Sequence, residues 1–208
     1  MIKNIILDVG MVLVDFCWAG LLHQLGITGE AFEAVADATV RTQTWNEYDR
    51  STKTEEELLA DLKANAPQYA PQIQLFWDNM SGMIRQYPYA KPWITALKES
   101  GYRVYILSNY SKRTYELTKD DGLSFLPLAD GIVFSFETGY IKPEKEIYHC
   151  LMDRYHLDPN ECVFIDDNAP NLVYPKQIGW STIQFHDLAQ VKQELRALGV
   201  QTKEIVLS

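Results

Sequence analysis

The sequence predicts an α/β fold, a parallel sheet sandwiched by helices with a helical bundle inserted after the first strand. Two observations carry the prediction. Short apolar runs at 4–8, 103–107, 132–135 and 162–166, with a weaker one at 182–185, alternate with segments of helical apolar spacing. Strands that alternate with helices pair in parallel, and such a sheet needs helices on both faces. Between residues 17 and 86 the alternation stops and only helical spacing remains. On this reading the chain divides into a core, residues 1–16 and 87–208, and an insert, residues 17–86. Its 208 residues suit one core with a smaller insert.

The first run, "NIILD", ends in Asp8 and passes into a small-residue turn. The insert reads as four helices: "FCWAGLLHQLG", "EAFEAVADATV", "TEEELLADLKAN" and "QIQLFWDNMSGMI". Asp15 is expected to cap the first of them. Thr54 and Glu57 form a capping-box pair at the start of the third. "TQTWNEYDR" reads as a polar link between helices. Beyond the insert, "PWITALKES" places Trp93, Ile94 and Leu97 at helical spacing and stops before Gly101. "RVYIL" and "IVFS" follow as strands. "PEKEIYHCLMDRYH" opens with Pro143 in a first-turn position and carries Ile147, Leu151 and Tyr155 on one stripe. "CVFID" and "TIQF" are the last strands, and "LAQVKQELRALG" closes its helix at Gly199.

Hydrophobic residues make up 47% of the chain and aromatic residues 12%, enough for a sizeable core. No apolar span is long enough to predict a transmembrane helix. The start, Met1-Ile2-Lys3 and then strand, lacks the features of a signal peptide and predicts a cytoplasmic protein. Cys17, Cys150 and Cys162 are odd in number and widely spaced, and are expected as reduced, mostly buried thiols. The four histidines make no metal-binding pattern. A formal charge of −9 argues against a nucleic-acid partner, which needs clustered Lys and Arg. It is compatible with a small phosphorylated substrate, where a metal ion and local cations offset the field.

Ligands of an open parallel sheet bind beyond the carboxyl ends of its strands. Asp8 ends the first strand and Ser108-Asn109 the second. Lys142 follows the third, and Asp166-Asp167-Asn168 ends the fourth. Singly, each has a plainer reading. Asp8 would cap a turn, and Ser108-Asn109 would cap the helix "SKRTYELTKD". Lys142 would be a solvated lysine, and the acid pair a capped loop. At four strand ends together they suit phosphoryl transfer. Acids hold Mg²⁺, the cation and hydroxyl take the phosphoryl oxygens, and one acid serves as nucleophile. The oxygen-rich ligand set suits Mg²⁺, and Mn²⁺ equally.

"ILDVGMVLVDF", "VYILSN", "GYIKPEKEIY" and "VFIDDNAPNL", in this order and spacing, resemble the haloacid dehalogenase superfamily, in the subclass with a helical cap inserted after the first motif. The resemblance runs over nearly the whole chain. It implies a Rossmann-like core under a cap that selects the substrate, with joints near Phe16 and Tyr87. It implies that Asp8 is the nucleophile that becomes an aspartyl-phosphate. Ser108 would bind the phosphoryl group with Asn109 beside it, and Lys142 would neutralise charge there. Asp8, the main-chain carbonyl of Gly10 and Asp167 would hold Mg²⁺, with Asp166 supporting or sharing that role. Asn171 would orient the loop.

Gly10 departs from the family pattern. Most phosphatases that the chain resembles carry an acid there, which protonates the leaving oxygen and then deprotonates the attacking water. Glycine keeps the carbonyl ligand and loses the proton carrier. "DVGMVL" is similar to a DxG branch associated with sugar-phosphate phosphatase activity. Loss of a general acid costs about 10²–10⁴-fold, most for a basic leaving group. The predicted substrates are therefore an anomeric sugar phosphate such as a sugar 1-phosphate, an acyl phosphate or an aryl phosphate. Two other functions compete: a 2-haloacid dehalogenase using the same Asp8, and a catalytically weak binding or regulatory protein. Trp18, His23, Trp45, Tyr48 and Trp77 are candidates to line the pocket, although aromatics at helical spacing more often form core.

Overall fold

The computed structural model describes residues 1–203; residues 204–208, the end of the predicted core segment, lie outside the described residues. From the N-terminus, β1 (Asn4–Leu7) and β2 (Val14–Phe16) lead into α1 (Trp18–Gln24), α2 (Gly29–Ala38), α3 (Thr44–Arg50), α4 (Glu55–Asn65) and α5 (Ala70–Asp78). β3 (Ile84–Gln86) leads out again. There follow α6 (Ala90–Glu99), β4 (Arg103–Ser108), α7 (Lys112–Thr118), β5 (Gly131–Phe134), α8 (Ser135–Thr138), α9 (Lys145–Tyr155), β6 (Cys162–Asp166), α10 (Val173–Gln177), β7 (Ser181–Gln184) and α11 (Leu188–Ala197).

The main sheet is parallel throughout, in the order β5-β4-β1-β6-β7. The chain winds outward from β1 through β4 to β5, then returns to the other side of β1 for β6 and β7. Strand order therefore reverses beside β1, where sheets of this kind bind ligands. Side chains alternate between the two faces. Ile5, Leu7, Val104, Ile106, Val163 and Ile165 pack on one face beneath α6 and α11, and that core continues into the insert through Val9, Val12 and Leu13. Ile6, Tyr105, Leu107 and Phe164 pack on the other face, beneath α9. Burying each such aliphatic side chain stabilises the fold by about 1.5–3 kcal/mol. A slip of β1 by one residue would exchange its faces, so the apolar pattern sets its register.

The predicted α/β sandwich is the observed architecture, with local differences. Ser135 opens α8 instead of ending a strand. α9 starts at Lys145 after Glu144, so Pro143 precedes the helix, and the Lys142–Pro143 peptide is cis. α7 is capped by Ser111, whose hydroxyl accepts the Thr114 N–H at 3.1 Å, and not by Ser108 or Asn109. The insert holds a further helix, α3, where a polar link was expected. It also contains β3, which pairs antiparallel with β2 and sets Asp15 opposite Arg85. Asp15 is thus a strand residue, and α1 follows Cys17 without a side-chain cap. The Thr54–Glu57 capping box forms, with bonds of 2.9 and 3.2 Å. All three cysteines are free, but only Cys162 is buried; Cys17 and Cys150 are partly exposed. No described helix is long and apolar enough to cross a membrane.

Candidate active site

Strand register decides which strand-end groups meet. Leu7 is paired with Ile165 on β6 and Ile106 on β4. The Asp8 N–H continues the ladder to the Ile165 carbonyl at 3.0 Å. One residue beyond those pairs, Asp8 and Asp166 leave adjacent strands side by side. Two buried carboxylates so placed repel each other. Lys142 stands between them, its Nζ 2.7 Å from Asp8 Oδ1 and 2.6 Å from Asp166 Oδ2, and all three side chains are buried. Burial pushes the Asp8 carboxyl up to about 7; the Lys142 charge opposes that rise, Asp166 adds to it, and hydrogen bonds from Lys142 and Ser108 offset it. Burial alone would pull the Lys142 ammonium down, but Asp166 and then Asp8 outweigh it and hold it above the usual lysine range.

The loop that carries Lys142 is itself held. The Lys142 N–H donates to Asn109 Oδ1 at 2.7 Å, and Asn109 Nδ2 donates to the Lys142 carbonyl at 3.1 Å. The Asn109 amide, expected beside the substrate, is therefore occupied by the main chain of Lys142. Asn171 Nδ2 donates to both oxygens of Asp166, at 3.0 and 3.1 Å, and the Asn168 N–H reaches Oδ1 at 2.8 Å. Asp166 is thus surrounded by donors, and it anchors Lys142 from behind.

Asp8, Gly10, Ser108, Asn109, Lys142 and Asp167 line one cavity of about 340 Å³. Of the seven predicted site residues only Asp166 lies behind its wall. Carboxylate oxygens of Asp8, Asp166 and Asp167 fall within 4.8 Å of one another. Three acids face one lysine, and burial, then Asp166, push the Asp167 carboxyl up. Among the described residues no main-chain hydrogen bond ends on the Gly10 carbonyl, and Asn171 Oδ1 is buried without a partner. Hard oxygen donors, surplus negative charge and an unsatisfied acceptor fit a hydrated divalent cation such as Mg²⁺.

Beside Gly10 there is open space: a Cβ built there meets nothing within 4 Å. Gly10 also lines a second cavity of about 130 Å³, walled by Val14, Phe16, Trp45, Met83 and Ile84 and by the polar Asn109, Ser111 and Thr114, with Asp49 of α3 among them. Of the five aromatics proposed for the pocket, Trp45 alone lines it. Trp18 and His23 stack on Phe32. Tyr48 is buried with its hydroxyl 2.7 Å from Thr114 Oγ1, and Trp77 packs against Tyr48 and Arg113. Sequence reasoning missed Phe16 and Asp49. The available signal was Trp45 and Tyr48 three residues apart, the spacing of one helix face. Burial pushes the half-buried Asp49 carboxyl up to about 8, with Lys142 opposing and Asp8 adding.

Known proteins resemble the chain along most of its length. D-ribitol-5-phosphate phosphatase of Bacteroides thetaiotaomicron is 25% identical over 214 residues, covering 95% of this chain and 98% of that protein. Bifunctional epoxide hydrolase 2 of Mus musculus is 32% identical over 150 residues, 69% of this chain but 26% of that protein. A HAD-family enzyme of Bacteroides thetaiotaomicron, solved in complex with magnesium and inorganic phosphate, superposes with a TM-score of 0.71 at 20% identity, covering 92% of this chain and 99% of that one. The haloacid dehalogenase-like hydrolase family model matches residues 12–179, and the chain accordingly belongs to the haloacid dehalogenase-like hydrolases.

Proposed function

We propose that the protein is a Mg²⁺-dependent phosphatase of small phosphorylated metabolites, sugar or polyol monophosphates such as a sugar 1-phosphate, acting through an aspartyl-phosphate at Asp8. The observation that carries this reading is the buried Asp8–Lys142–Asp166 arrangement with Asp167 on the same cavity wall. Lys142 holds Asp8 by one oxygen and draws negative charge off the phosphoryl group, while Ser108 binds a phosphoryl oxygen. Asp8, the Gly10 carbonyl and Asp167 would hold Mg²⁺, which supplies charge neutralisation to the transferring phosphoryl group. Asp166 keeps Lys142 charged and in place. The leaving group extends past Gly10 alongside the packed Phe16–Trp45 pair, whose rings suit the carbon face of a sugar or polyol. The named activity of the ribitol-phosphate relative, similar over nearly its full length, supports the same substrate class.

Displacement of halide from carbon would use Asp8 and Lys142 equally well. It has no use for a second carboxylate on the cavity, and Asp167 therefore favours phosphate. Phosphate release from a panel of phosphorylated metabolites, with and without Mg²⁺, tests the proposal. Metal-dependent release that Asp8→Asn abolishes is expected. Halide release without phosphate release would make the protein a dehalogenase. Binding of phosphorylated compounds without turnover would make it a binding protein.

A further inference from the structure

We propose that Asp49, brought in by α3 of the insert, gives the leaving oxygen its proton and then accepts one from water, at the place Gly10 leaves open. The inference rests on the phosphatase reading above and assigns the proton carrier that the DxG motif lacks. Three observations point to it. Gly10 and Asp49 line one cavity, and that cavity shares Gly10, Phe16 and Asn109 with the cavity over Asp8. Asp8 and Lys142 both act on the Asp49 carboxyl, so it lies in their field. That carboxyl has no hydrogen-bond or ion-pair partner among the described residues, although the side chains next to it are engaged. Arg50 binds Glu144 and the Gly139 carbonyl, and Tyr48 binds Thr114.

The main chain at Asp49 is also fixed to the core. Ser135 Oγ donates to the Asp49 carbonyl at 2.7 Å. The Lys112 N–H donates to Ser51 Oγ at 2.9 Å, and Arg50 Nη1 reaches the Gly139 carbonyl at 2.9 Å. These clamps tie the end of α3 to the loops after β4 and β5, the same loops that carry Asn109 and Lys142. A carboxyl on the wall of a largely apolar cavity without a partner is costly, and proteins keep such groups where chemistry needs them. The walls of Phe16, Trp45 and Ile84 favour the neutral acid, the form that donates a proton.

The chemistry balances. Asp8 Oδ attacks phosphorus and forms an O–P bond while the bond to the leaving oxygen breaks. The Asp49 proton passes to that oxygen, leaving a neutral alcohol and a carboxylate. Asp49 then takes a proton from water as the water oxygen attacks the aspartyl-phosphate. This releases inorganic phosphate, restores the Asp8 carboxylate and reprotonates Asp49.

The test compares wild type and Asp49→Asn on two esters under single-turnover and burst conditions with Mg²⁺. On p-nitrophenyl phosphate, whose leaving group needs no proton, the variant should release a burst of about one p-nitrophenolate per enzyme and then turn over slowly. On an alkyl ester such as a polyol phosphate, the variant should show no burst and a first step slower by about 10²–10⁴-fold. The burst itself reports that the variant is folded. Equal loss on both esters in the first step, or no loss on either, overturns the role of Asp49 while leaving the phosphatase standing. Wild type inert toward both esters overturns the phosphatase reading and this inference with it.

Discussion

Lys142 is the residue on which the buried charge balance turns. It bridges two carboxylates that strand pairing has placed side by side. Removing one partner from a buried ionic cluster typically costs about 3–5 kcal/mol, because the remaining charges are left uncompensated. Lys142→Ala should lower stability by about that amount in urea denaturation at neutral pH. Asp49 shows the opposite balance. Its folded carboxyl is pushed from 3.8 up to about 8, mainly by burial. A group raised in the folded state favours folding below its unfolded value, and that stability is lost as pH rises toward the folded value. Asp49→Asn should therefore be more stable than wild type, by on the order of 4 kcal/mol at pH 7. The difference should be absent near pH 4 and level off above about pH 8, which thermal melts across pH would reveal. Alkyl-phosphate turnover should fall above about pH 8 in wild type as Asp49 loses its proton.

Single elements carry the site as much as single residues do. The turn after β1 places Met11 at φ 57°, in the left-handed region that favours glycine. Met11 is partly exposed, and its side chain is absent from the buried core. Met11→Gly should raise stability by about 1 kcal/mol, measured as a shift in melting temperature. The loop after β4 works through Asn109, which holds the Lys142 peptide by two hydrogen bonds. Asn109→Ala should lower kcat by about tenfold or more while leaving KM less affected, since it misplaces a charge that acts in the transition state. α3 was hidden in the sequence because only Trp45 and Tyr48 mark an apolar face in a polar stretch. A helix of seven residues is not stable by propensity alone, and tertiary docking forms it. The capping box of α4 needed no such help, because both its hydrogen bonds are local.

At the scale of the whole molecule, the insert closes over the sheet edge, and one hydrophobic core runs from β1 through Val12 and Val14 to Leu21, Leu22 and Phe76. β2 and β3 pair where the chain enters and leaves the insert. A divalent cation that binds the folded acidic site and not the unfolded chain stabilises the fold by mass action, about 2.7 kcal/mol at a hundredfold excess over Kd. Saturating Mg²⁺ should raise the melting temperature of wild type, and Asp167→Asn should abolish most of that rise.

The sequence by itself determined the alternation of strands and helices, the presence of an insert, and the strand-end residues Asp8, Ser108, Lys142 and Asp167. Those features depend on local periodicity and chain order, which pairing between strands only assembles. Only the tertiary structure decided that Asp166 anchors Lys142 instead of facing the cavity, and that Asn109 holds a peptide. It alone brought Asp49 of α3 into one cavity with Gly10. Those outcomes turn on strand register and on the docking of one short helix, contacts between residues far apart in sequence that no local pattern encodes.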